Sequence, residues 1–428
     1  MKRQFGIYED TGHRVVGNLK TAELRMKRIT DKLKKIKYQD VTGVFLFILV
    51  LIPAMLKRLS LKRAGKQLWL VSEHGTARDN GYCFYKYLRE EHPELDIRYA
   101  MYFEGNDYRK MRRLGGLIKW GGLKHYYYYM AATWNVTSHK NGNPNQMIFT
   151  VLQKLGFFNN VIFLQHGVLY QDFPMFHRDR CSFRLFICGA SPEYEFVKDR
   201  YGYRENEVKY TGLARFDQLY DAKTDSRMIL FIPTWRRWLS DRETFGKSEY
   251  YRRTEEVLCN PQLEELLKAT GKTLFFYPHM GSWEYADMFR SDKAHIRVLD
   301  PRKTDIQKLL MKGAVMITDY SSICTDFAYM GKPVIYYQYD HEEYIRGHCL
   351  AGQKYTGKWE EYSYFDFERD GFGPVVHSVR ELTEQLEVLL QKGFKVSAEY
   401  KERTTNFFGL KDTHNCDRIY GEIMQLDR

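Results

Sequence analysis

From residue 67 onward the chain repeats one pattern: an apolar run of about five residues, a polar turn, then a stretch that reads as helix. The runs are LWLVS (68–72), IRYAM (97–101), WNVTS (134–138), VIFLQ (161–165) and LFICG (185–189), followed by MILFI (228–232), TLFFY (273–277), AVMIT (314–318) and VIYY (334–337). A strand that is apolar on both faces must be covered on both faces. Alternation with helices therefore implies parallel sheets with helices on either side. The runs come in two successive sets, and 428 residues are too many for one ordinary core. The pattern predicts an α/β protein with two Rossmann-like, doubly wound domains and a cleft between them. The joint is expected in the polar stretch Asp221–Arg227, giving an N-terminal domain over 67–220 and a C-terminal domain over 221–395. A last helical segment, 396–428, is expected to pack back on the body.

In open parallel sheets, ligands sit beyond the carboxyl ends of the strands. The informative residues are those directly after each run: Glu73-His74-Gly75, His166-Gly167, Gly212 to Arg215, Pro233-Thr234-Trp235-Arg236, Pro278-His279 and Asp319 to Ser322. Thr318 ends the run before the serines. Ser321 and Ser322 are expected at the start of a helix, where unpaired amides carry partial positive charge. Two hydroxyls add donors there without bulk, which suits a phosphate; the alternative is that one serine simply caps the helix. Thr325 and Asp326, one turn on, face the same cleft. Gly271-Lys272-Thr273 has the form of a phosphate-loop tail, but Leu266 stands where that motif needs glycine and the segment leads into a strand. No G-x-G-x-x-G follows a strand, so a dinucleotide dehydrogenase has no support.

The charge is unevenly placed. Residues 1–66 hold sixteen Lys plus Arg against five Asp plus Glu, so this segment carries nearly all of the net +12. Leu19, Ala22, Met26, Ile29, Leu33 and Ile36 form one stripe of a helix among lysines and arginines. The apolar run Val44–Leu56 follows, then Lys57, Arg58, Lys62, Arg63 and Lys66. Thirteen residues of helix cover about 20 Å against a hydrocarbon core of ~30 Å, and Pro53 falls inside the run. The reading is a basic helical segment that inserts at a membrane surface through residues 19–66 without spanning it. A short coiled coil followed by a buried helix is the alternative, and the stripe permits a homo-oligomer. Nucleic acid is not the expected partner, because the greasy run has no use there. Seven cysteines stand singly, without C-x-x-C or Cys/His spacing, which fits a reducing compartment and no metal. Thirty-three tyrosines suit either carbohydrate-binding surfaces or the filling of a large core.

TDYSSICTDFAYMGKPVIYYQYD (318–340) resembles the signature of the CDP-glycerol glycerophosphotransferase family, bacterial enzymes of teichoic acid and related capsule synthesis. LQHG (164–167), TGLARFD (211–217), PTWR (233–236), YPHM (277–280) and YFDFERDGFGP (364–374) resemble further motifs of that family. The resemblance implies a GT-B architecture. It implies that His166 is the general base for an acceptor hydroxyl and that His279, Ser321 and Ser322 contact the donor diphosphate. It also implies donor-side roles for Asp326, Arg215, Thr234, Arg236 and Thr318. The chain departs from the family pattern where HGVLYQDF lacks the usual Thr-Pro and lysine, and at Tyr277 and Met280. Acceptor and alditol are therefore left open.

The implied reaction moves glycerol phosphate or ribitol phosphate from CDP-glycerol or CDP-ribitol to a lipid-linked glycan at the cytoplasmic face of the membrane, with no cofactor. A GT-B glycosyltransferase using a nucleotide sugar, or a non-catalytic membrane scaffold, would share the fold.

Overall fold

The computed structural model describes residues 38–350 and 356–426. The stripe Leu19 to Ile36 lies outside the described residues. Strands β1 (Leu68–Gly75), β2 (Asp96–Met101), β3 (Leu117–Lys119), β4 (Trp134–Thr137), β5 (Val161–Phe163), β6 (Phe183–Cys188) and β7 (Val208–Tyr210) form one sheet in the order β3-β2-β1-β4-β5-β6-β7. Strands β8 (Met228–Phe231), β9 (Thr273–Phe276), β10 (Ile296–Val298), β11 (Val315–Thr318), β12 (Val334–Tyr337) and β13 (Val375–Val376) form a second, ordered β10-β9-β8-β11-β12-β13. Every neighbouring pair is parallel. In each sheet the first strand lies between its second and fourth, so the chain reverses its direction of winding at β1/β4 and at β8/β11. These are the switch points where doubly wound sheets leave a crevice.

Alternation along the strands divides the cores. Trp69 and Val71 face the helix Asn80–Glu91, through Phe84 and Leu88, and the helix Asn415–Gln425, through Cys416, Ile419 and Ile423. Leu68 and Leu70 face the other way, onto Tyr126, Tyr129 and Phe149. In the second sheet Ile229, Phe231, Val315 and Ile317 pack on Leu263, Leu267, Leu382 and Leu386. Leu230, Ile232 and Met316 instead enter a cluster shared with Val168, Tyr170, Leu213 and Phe216, which come from the loops of the first half. The two sheets are thus joined by apolar packing as well as by chain. Tyr85, Tyr99, Tyr201, Tyr250, Tyr329, Tyr336 and Tyr337 are fully buried, so much of the tyrosine content fills core.

The apolar segment is longer than its run of apolar residues suggested. It forms one helix, Tyr38–Arg63, that continues through Pro53. Its 26 residues rise about 39 Å, and by length and composition Val41–Arg63 could cross a membrane. Pro53 lies on the exposed side, where its missing N–H removes only the intrahelical bond to the Leu49 carbonyl. The buried side, Val50, Ala54 and Leu61, docks along the first sheet's core, with Phe47 edge-on to Phe149 at 6.0 Å. Phe45, Ile48, Leu49, Ile52 and Leu56 remain exposed.

Candidate active site

His166 follows β5 on a tightly pinned loop. Gln165 adopts a left-handed backbone, φ +61°, a conformation that costs a non-glycine residue roughly 1 kcal/mol or more. Its neighbours hold it there. Gln165 Nε2 donates to the carbonyl of Ile187 and to Glu193 Oε1, and Asn80 Nδ2 donates to the Gln165 carbonyl at 2.8 Å. Buried Glu193 also accepts the N–H groups of Leu169 and Gly189, both at 2.6 Å. The next side chain, His166, points outward, 72% exposed, and its Nδ1 lies 2.5 Å from Asp79 Oδ2.

Arg215, after β7, runs beneath this loop. Its Nη1 donates to Asp79 Oδ1 at 2.7 Å and to the His166 carbonyl at 2.6 Å. Its Nε and Nη2 clasp Asp326 at 2.9 to 3.1 Å. Asp326 belongs to the short helix Cys324–Tyr329 of the second half, so one buried guanidinium ties both halves to the backbone of His166. Burial pushes Asp79 upward, but His166 and Arg215 overcome it and hold the carboxyl well below the usual range. The same carboxylate raises His166 above the ordinary imidazole value.

The serine turn lies opposite. The helix begins at Cys324 rather than at the serines, and no side chain caps it. Ser321 and Ser322 form the preceding turn through their carbonyls, which accept from Cys324 and Thr325. Both are half-buried, and among the described residues neither hydroxyl has a hydrogen-bond partner. Capping is therefore not their task. A Cβ placed on Gly167 would stand 3.0 Å from Ser322 Oγ and 3.7 Å from Arg215 Nη2. The histidine loop and the serine turn thus meet in van der Waals contact.

His279 follows β9. Its Nδ1 accepts the Gly281 N–H at 2.9 Å, which leaves the ring proton on Nε2. Burial, with His166 second, lowers it to about 4. Trp235 stacks parallel to it at 6.1 Å.

Four of the residues expected to touch substrate stand behind this surface, among them Asp326, which is 1% exposed with both oxygens on Arg215 instead of facing the cleft. Thr318 is fully buried and donates its hydroxyl to the Ile232 carbonyl, locking β11 to the end of β8. Arg236 is wholly enclosed: Nε and Nη2 bond Asp340 at 2.7 and 2.9 Å, and Nη1 bonds Asp319 at 2.8 Å. Arg215 is 4% exposed with its charge spent on two carboxylates. A phosphate would have to displace a carboxylate to reach either guanidinium, so both arginines are struts. Thr234 donates its N–H to Asp319 at 2.8 Å and keeps a buried, unpartnered Oγ1.

Reading only the residues directly after each run passes over Asp79, which lies beyond the end of β1 at the mouth of the next helix. His139 does stand directly after the run WNVTS (134–138), though it is not among the residues singled out above; its ring is 4.6 Å from that of His166. Asp79, His139 and His166 each offer a ligand atom within 4.8 Å of the others. A divalent cation there would face the Arg215 guanidinium across the same carboxylate. Burial holds His139 down to about 4, as a neutral ring.

GgaB, a minor teichoic acid biosynthesis protein of Bacillus subtilis, is 26% identical over 85% of this chain and 40% of its own length. A teichoic acid poly(ribitol-phosphate) polymerase of Bacillus spizizenii is 32% identical over 35% of this chain and 21% of its own length. The chain thus spans less than half the length of these relatives. The solved structure of the wall teichoic acid polymerase TagF superimposes with a TM-score of 0.58 and 15% identity, over 92% of this chain and 100% of that chain; the likeness is one of fold. The family described as CDP-glycerol:poly(glycerophosphate) glycerophosphotransferase matches residues 54–425, both sheets included, and the chain belongs to it.

Proposed function

We propose that the protein transfers glycerol phosphate or ribitol phosphate from a CDP-alditol to a hydroxyl of a polyprenyl-diphosphate-linked glycan or growing polymer, in teichoic acid or capsule synthesis. Residues 67–220 serve the acceptor and 221–395 the donor, across a cleft between them. The acceptor oxygen attacks the phosphorus that bears the alditol. The bond from that phosphorus to the bridging oxygen breaks, and CMP leaves with the electron pair. The acceptor's proton passes to His166 Nε2, a task for a group titrating near neutrality. His279 Nε2–H and the free hydroxyls of Ser321 and Ser322 donate to the diphosphate. Neutral donors aimed at developing charge suit phosphoryl transfer, which needs alignment more than covalent help. The reaction as written uses no cofactor.

The observation that carries this reading is the contact between the Gly167 loop and Ser322. It sets an exposed imidazole from one sheet against unengaged hydroxyls from the other. The reading also puts the lipid end of the acceptor beside residues 19–66. There the exposed Phe45, Ile52 and Leu56 and the basic Lys57, Lys62 and Arg63 grip the cytoplasmic face of the membrane.

The test is CMP release from CDP-glycerol and CDP-ribitol with a lipid-linked glycan acceptor. His166→Ala is expected to lose about 10²-fold or more in kcat. His279→Ala and Ser321→Ala/Ser322→Ala are expected to lose donor affinity. Wild-type rates in all three variants, or release of a nucleoside diphosphate from a nucleotide sugar instead, would refute the reading.

A further inference from the structure

Asp79 makes no use of its place in the fold. It stands at the N-cap of the helix Asn80–Glu91, yet its side chain makes no capping bond. Capping is done by Glu73, whose carboxylate accepts the N–H groups of Arg78, Asp79 and Tyr82. Asp79 is nevertheless 7% exposed and ionised, and burying a carboxylate is costly unless each oxygen is paired. One oxygen faces His166 Nδ1 and the other Arg215 Nη1. The remaining nitrogens of Arg215 hold Asp326, four residues past Ser322.

We infer that Asp79 is the positioning residue of the base: it fixes the His166 proton on Nδ1, leaves the Nε2 lone pair toward the acceptor hydroxyl, and through Arg215 and Asp326 registers that lone pair against the serine turn. The inference rests on His166 being the base proposed above. Second-partner orientation of this kind keeps one tautomer available and stabilises the imidazolium that forms.

The titratable and charged groups facing His166 come from five elements, one of them the helix Cys324–Tyr329 through Asp326, whose carboxylate is paired with Arg215. Asp79 raises it, with support from Glu73 beyond β1, while Arg215 beyond β7 opposes. His139 beyond β4 and His279 beyond β9 are each held down to about 4 and carry no charge at neutral pH. A base works in its neutral form, so a raised value shifts the acidic limb of the rate profile to higher pH. Neutralising Asp79 must move that limb to lower pH.

The experiment uses the full chain and the near-isosteric Asp79→Asn. The first readout is the pH dependence of CMP release from CDP-glycerol. We expect kcat to fall about 10²-fold, the acidic limb to move down, and KM for CDP-glycerol to stay within about threefold. The second readout needs no turnover: diethyl pyrocarbonate acylation of His166, followed by peptide mass spectrometry across pH. Its midpoint should lie above the ordinary ~6.5 in the wild type and fall in Asp79→Asn. If the variant does not fold, the wild-type midpoint still decides, and a value at or below the ordinary one overturns the inference. So does an unmoved midpoint, or a raised KM with unchanged kcat. Protection of wild-type His166 from acylation by Mn²⁺ or Zn²⁺ would make the trio a metal site and overturn it too. If CDP-glycerol is not turned over at all, the proposed function fails while the acylation arm still tests Asp79.

Discussion

Replacing Arg236 separates a strut from a ligand. Its guanidinium makes a two-pronged bond to Asp340 and a single one to Asp319, and donates to the Thr234 carbonyl at 2.5 Å. The rings of Tyr250, Tyr320, Tyr339 and Tyr344 surround it with centroids 5.1 to 5.9 Å away. Arg236→Met fills much of the same volume but leaves two buried carboxylates facing each other. Breaking a buried pair by removing one partner costs about 3–5 kcal/mol, against a total stability of roughly 5–15 kcal/mol. With a urea slope near ~3 kcal/mol per molar, the midpoint should fall by about 1 M or more. Tryptophan fluorescence is the natural assay, since Trp235 and Trp238 flank the site. Arg236→Met/Asp340→Asn removes one stranded charge and should recover part of the loss, a coupling of about 1–3 kcal/mol. KM for the CDP-alditol, measured on the folded variant, should barely change. An unaltered midpoint with a KM raised tenfold or more would show that Arg236 grips the donor directly, and the assignment as a strut would be wrong.

Its neighbour should behave in the opposite way. Arg237 is exposed and has no ion pair among the described residues; it lies close enough to His348 to assist burial in pushing that ring down to about 3. A charge-assisted bond to a phosphate is worth roughly 1.5–3 kcal/mol, so Arg237→Ala should raise KM for CDP-glycerol about 10-fold or more at an unchanged urea midpoint; steady-state kinetics on the two variants side by side checks this. On the long helix, Phe45→Asp/Ile52→Asp alters only exposed positions and should reduce binding to anionic vesicles about 10²-fold or more while leaving the fold intact. Deleting the helix would be a poorer test, because it would strip cover from Tyr126 and Phe149; cosedimentation equal to wild type would place the membrane contact elsewhere.

How far such elements can be read from sequence depends on what surrounds them. All nine apolar runs are strands, because most of their residues are buried whichever face they point to; the half-buried Arg98 in β2 and Phe275 in β9 stand next to the edge strands β3 and β10. The strands without a run are β3, β7, β10 and β13, which are the four sheet edges. An edge strand has one neighbour and two or three residues, too few for a pattern. That His166, His279, Ser321 and Ser322 stand beyond the carboxyl ends of strands is legible from the runs that precede them. The fate of the arginines is not. A sequence displays a charge but not what neutralises it, and the partners of Arg215 and Arg236 lie 136, 111, 104 and 83 positions away. The helix Tyr38–Arg63 outruns its apolar run for a simpler reason: polar and basic flanks extend a helix without adding to that run.

Spending both arginines internally has a consequence for how the two walls are spaced. Arg215 bonds the His166 carbonyl at 2.6 Å and Asp326 at 2.9 Å, so the separation between the histidine loop and the serine helix is set by the span of one planar group. Both its partners are carboxylates and backbone in a buried setting, where bond lengths have little freedom. At that separation a methyl group at 167 would already stand 3.0 Å from the Ser322 hydroxyl, which would have to give by a few tenths of an ångström. A flexible lysine in place of Arg215 could bond one partner at a time and would leave the spacing loose. Phosphoryl transfer depends on attacking and leaving oxygens being held in line. A rigid strut beneath the site serves that requirement in a way that a cation gripping the phosphate, as expected of Arg237, does not. A guanidinium in direct contact would bind donor and product alike, whereas one fixed between the walls acts only on their geometry.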